Sequence, residues 1–142
     1  MTPETRRHAG ILIVIIPTVI YGGVSILSFL IHDPAYMQNP LRQNLFRAGH
    51  AHAGVLLILS LVSCLYVDEA SLSPGWKTIV KSCIPSAAIF LPAAFFFSVL
   101  SRNATEPNGL INLAYVGVAL LVIGLLTLGI GLIRKRKDTS VH

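Results

Sequence analysis

The stretch Gly49-His50-Ala51-His52-Ala53-Gly54-Val55-Leu56-Leu57-Ile58-Leu59-Ser60-Leu61-Val62-Ser63-Cys64-Leu65-Tyr66-Val67 decides the fold. It contains no Asp, Glu, Lys or Arg, and about 20 such residues in a helix cover a hydrocarbon core of roughly 30 Å. Residues 9–31, 82–101 and 107–133 are uncharged in the same way. Charged residues make up 12% of the chain and hydrophobic ones 54%, against roughly 25% charged in an ordinary soluble domain. The pattern predicts an all-α membrane protein: a single domain over residues 1–142, with helices over about 9–31, 45–67, 77–101 and 108–133 in an up-down bundle. Arg6 and Arg7 precede the first apolar run as in a secretory signal, but that run is too long for a signal core. It reads as a retained helix.

The basic residues set the expected orientation. Arg6, Arg7, Lys77, Lys81 and the run Arg134-Lys135-Arg136-Lys137 fall on one side of a four-helix path, and only Arg42, Arg47 and Arg102 on the other. Positive charge stays inside, which predicts a cytoplasmic N-terminus and C-terminus. The net charge of +5 then needs no nucleic-acid partner, since the C-terminal basic run suits anionic lipid. The bilayer is the expected surrounding, and a bacterial cytoplasmic membrane the expected location.

Local signals refine the path. Pro17 predicts a kink in the first helix, and Pro34 and Pro40 break the polar loop 32–44, which is long enough for a short amphipathic turn. Trp76, Lys77 and Lys81 suit the headgroup zone. The sequon Asn103-Ala104-Thr105 lies too close to the membrane to carry weight. Cys64 and Cys83 match no zinc spacing and read as free packing thiols. Gly117, Gly124 and Gly131 repeat at heptad spacing. Such a seam lets backbones approach closely, and it can face the other helices, a second copy in a homo-oligomer, or a larger membrane complex.

His50 and His52 carry the chemistry. Ionisable groups placed in a membrane helix point to function, and neutral imidazole is a common metal ligand. At about 100° per residue, positions i and i+2 point roughly 200° apart, so the pair serves two faces or supplies one ligand and one neighbour. Arg47, one turn before His50, can pair with carboxylates in a planar fork, and Gly54, one turn after it, leaves room for a flat macrocycle. His32 ends the first helix on the same side and is a candidate second ligand. His8 and His142 fall on the opposite side. The bland alternative is an interfacial imidazole that caps backbone or meets headgroups.

A His-x-His pair on a membrane helix, followed by glycine and a leucine-rich run, resembles the haem-ligating helices of the haem–copper oxidase and nitric oxide reductase superfamily. The resemblance covers Gly49 to Ile58. It implies haem b binding, with His50 and His52 as ligands and Arg47 toward a propionate. It does not imply oxygen reduction, because the further histidines of the oxidase copper centre have no counterparts here. The expected function is therefore a small haem b protein in electron transfer or gas sensing. A proton or metal transporter or channel component and an accessory subunit are the alternatives. Catalysis has the least support: the chain offers no paired carboxylates in the membrane, no activated nucleophile and no phosphate-cradling loop.

Overall fold

In the computed structural model, residues 1–134 are described; Lys135, Arg136 and Lys137 of the basic run, and His142, lie outside them. Every regular element among the described residues is helical: α1 Pro3–His32, α2 Pro34–Met37, α3 Pro40–Tyr66, α4 Pro74–Ser98, a 3-10 turn Gly109–Asn112 and α5 Leu113–Ile133. Four of these segments are long and apolar enough to cross a membrane, as expected for an integral membrane bundle.

α1, α3 and α4 begin earlier than the apolar runs suggest, whereas the fourth span begins slightly later, at Gly109, and the reason for the early starts is local. Each of α1 to α4 opens with a cap residue followed by proline: Thr2-Pro3, Asp33-Pro34, Asn39-Pro40 and Ser73-Pro74. Proline at the first helical position lacks only an N–H that has no helical partner anyway. The Thr2 hydroxyl accepts from the Thr5 N–H at 3.2 Å, the Asp33 carboxylate from Ala35 at 3.1 Å, and the Asn39 amide oxygen from Arg42 at 3.0 Å. These bonds satisfy orphan donors of the first turn. α4 stops at Ser98 instead of 101, and the Asn108 N–H reaches back to the Ser98 carbonyl at 2.8 Å. α1 continues as one helix through Pro17.

The spanning helices stand in the order α1, α3, α4, α5, each packed along the next, and α1 has extended contact with neither α4 nor α5. The up-down path is fixed by bonds at one end. The Thr2 N–H donates to Asp68 Oδ2 at 2.6 Å, and the Ser71 N–H donates to the Gly131 carbonyl at 2.8 Å. The start of α1, the α3–α4 loop and the end of α5 therefore share one end, which also holds Lys77, Lys81 and Arg134. We call this the basic end.

The glycine seam of α5 is covered within the chain. A Cβ on Gly117 would lie 2.7 Å from Leu91 Cγ, and one on Gly124 2.6 Å from Ile84 Cγ1, both on α4. A Cβ on Gly131 would lie 2.5 Å from Leu72 Cγ in the α3–α4 loop. Lipid gives no hydrophobic drive to join helices, so close backbone packing of this kind holds them together. Gly129 faces open space.

Candidate functional site

α3 carries the two histidines on different flanks, as their spacing requires. His50 turns toward α1. Its half-buried ring lies over Gly22 and Gly23: a Cβ on Gly23 would stand 2.9 Å from Nε2, and one on Gly22 3.9 Å from Nδ1. The glycine pair is thus a cradle that the imidazole itself fills. Gly54, one turn further along α3, meets Val19 of α1, whose Cγ1 would be 3.8 Å from an added Cβ. Below it, α1, α3 and α4 enclose a small apolar cleft of about 110 Å³ that includes Val19, Ala53 and Leu57. Cofactor pockets run to roughly 300–1,000 Å³, so α1 occupies the flank on which a macrocycle beside His50 was expected.

His52 is exposed and turns the other way. Its ring centroid lies 5.1 Å from that of Phe95 on α4, and its Nδ1 lies 2.7 Å from the Ala48 carbonyl oxygen. A carbonyl only accepts, so Nδ1 carries the proton and, in a neutral ring, Nε2 keeps its lone pair. Metal-ligating histidines commonly hold their second nitrogen in this way.

The other expected members stand apart. His32, exposed at the end of α1, has Nδ1 3.2 Å from the Ser28 carbonyl oxygen. It lies nine residues beyond Gly23, about 14 Å along the helix axis, so it is not brought to His50. Arg47 is exposed and donates only a long bond, 3.4 Å, to Gln43 Oε1. No group of three or more His, Cys, Asp or Glu side chains placed to hold a metal ion occurs among the described residues.

The sequence reading missed a buried polar cluster above the pair. Arg42 is 6% exposed and Tyr36 fully buried. The Arg42 Nε donates to the Val99 carbonyl at 3.1 Å, a group freed by the early end of α4. Its guanidinium carbon lies 5.2 Å from the Phe46 ring centroid and 5.7 Å from that of Tyr36, within range of cation–π attraction. Arg42 Nη1 and the Tyr36 hydroxyl are buried without a partner. Burial raises the Tyr36 pKa against the opposing pull of Arg47 and Arg42. Nearby Asp33 pairs with Arg102 at 2.7 Å. That bond, with the charge of Arg102, holds the Asp33 carboxyl below its ordinary range.

Buried Ser60 and Ser63 donate to carbonyls of their own helix, Leu56 and Ser60, each at 2.7 Å. Buried Lys81 reaches Glu4 at 2.6 Å near the basic end. No protein-family model, curated protein or solved structure matches the chain.

Proposed function

We propose that this chain is a small integral membrane haem b protein, consistent with a bacterial cytoplasmic membrane, in which His52 would hold the haem. The observation that carries the reading is the 2.7 Å contact between His52 Nδ1 and the Ala48 carbonyl. It fixes the tautomer and leaves Nε2 free on an exposed flank, as a ligand to iron requires. Of the groups expected from the oxidase and reductase resemblance, His52 fits the role as it stands. His50, seated on Gly22 and Gly23, acts as a packing side chain between α1 and α3. Arg47, five residues before His52 and so about 140° around the helix from it, is not assigned to this site.

Bound at His52, the haem would supply one-electron transfer or binding of a diatomic gas. The chain's own part is limited and specific. The Ala48 carbonyl orients the imidazole, and Phe95 flanks one side of it. With His52 as the one residue assigned to hold it, the haem would be suited to binding a diatomic gas. Purified protein from haem-replete cells should show a Soret band that His52→Ala abolishes and His50→Ala preserves. A colourless protein removes the proposal.

An accessory-subunit reading draws on a different observation. Only 6% of the apolar window of α1 is buried, which leaves most of that helix free for a larger membrane partner. Recovery of the chain only within a stable complex, without haem, would favour this reading.

A further inference from the structure

At the basic end, on the contact between α1 and α3, an apolar groove of about 520 Å³ runs beneath Arg6. Ala9, Gly10 and Ile13 wall it on α1, and Ile58, Val62 and Leu65 on α3. Gly10 keeps it open, because nothing lies within 4 Å of where its Cβ would be. From Arg6 to Ile13 the groove extends seven residues, about 10 Å along the axis, within the stretch that is to lie in hydrocarbon.

Arg6 is exposed and makes no ion pair among the described residues. The acids nearby are engaged elsewhere: Glu4 with Lys81, and Asp68 with the Thr2 N–H and the Thr5 hydroxyl. An unpaired guanidinium at the rim of an apolar trough is the complement of an amphiphile with an anionic head and a hydrocarbon tail. We propose that the groove holds an acyl chain of an anionic phospholipid whose phosphate pairs with Arg6. A zwitterionic lipid would fill the trough but bring a phosphate already neutralised by its own ammonium group, and the helix of a second copy would leave the guanidinium without a counter-charge. Neither His50 nor His52 takes part, so the site stands whatever His52 binds.

The test uses the full chain, delipidated in detergent and titrated with dioleoyl phosphatidylglycerol or dioleoyl phosphatidylcholine, with retained lipid read by native mass spectrometry. One phosphatidylglycerol per chain is expected, preferred over phosphatidylcholine by about fivefold, the weight of one basic residue at an anionic surface. Arg6→Gln should bring that preference close to one while the helical circular dichroism is unchanged. Gly10→Leu should evict both lipids, and Val62→Trp, which blocks the groove from α3, should do the same if Gly10→Leu fails to fold. Equal retention of the two lipids by the unaltered chain overturns the proposal. So does a lipid-free dimer, or retention that survives both groove-filling substitutions.

Discussion

Gly23 and His50 face each other across the α1–α3 contact so closely that a Cβ on Gly23 would stand 2.9 Å from the imidazole Nε2. Gly23→Ala must therefore displace the ring or part the helices, and overpacking of this kind costs about 1–3 kcal/mol. Gly22→Ala would bring its Cβ only to 3.9 Å from Nδ1, an ordinary contact. Thermal unfolding in detergent should separate the two variants, with Gly23→Ala melting lower. The double change Gly23→Ala with His50→Ala should recover much of the loss.

The α5 seam gives a second contrast. Gly124→Ala places a methyl 2.6 Å from Ile84 Cγ1, whereas Gly129→Ala meets nothing within 4 Å. The first should lower stability by about 1–3 kcal/mol, and the second should leave it unchanged or raise it slightly, since alanine is the better helix former. Steric-trap or urea unfolding in micelles reads the difference directly.

Tyr36 supplies a test of opposite sign. Its hydroxyl is buried without a partner, and an unsatisfied buried donor costs roughly 1–3 kcal/mol. Tyr36→Phe keeps the ring contacts with Phe29 and Phe46, at 5.9 and 5.6 Å, and removes only the oxygen. The variant should melt higher than the parent chain; a lower midpoint would count against this account of the cluster.

Acid should loosen α1 at both ends. Burial works against ionisation of Asp68, but its bonds from the Thr2 N–H and the Thr5 and Thr2 hydroxyls outweigh that and lower its pKa. Asp33 is lowered chiefly by its bond to Arg102. A carboxyl with a lowered folded pKa contributes stability that is complete above its unfolded value of about 3.9 and disappears as pH falls through the folded one. The melting midpoint should hold between pH 7 and 5 and drop below about pH 4. Asp68→Asn should flatten that drop, as followed by circular dichroism across the pH series.

The four spans, their alternation and the gathering of basic residues at one end were legible because lipid admits few solutions for uncharged runs of this length. Hydropathy sets the starts of α1, α3 and α4 several residues late, because it is blind to the cap-proline pairs Thr2-Pro3, Asn39-Pro40 and Ser73-Pro74 that fix them. The cradle under His50 was open to counting: Gly23 stands nine residues before the end of α1, and His50 ten after the start of α3. What spacing alone could not give was the neighbour of the Gly117, Gly124 and Gly131 seam, because the same close approach serves one chain or two. Arg42 was hidden for another reason. A charged residue near a helix start reads as solvated, and its burial depends on the Val99 carbonyl, released because α4 stops three residues before the apolar run ends.

The order of helices across the molecule has a consequence for biogenesis. Every spanning segment leans on the one synthesised just before it, so α3 completes the berth of α1, α4 that of α3, and α5 that of α4. No segment has to wait in the bilayer for a distant mate, and no early pairing must be undone when a later one arrives. Such a chain can be put together at the pace at which it leaves the ribosome, its first hairpin settled before its last helix exists.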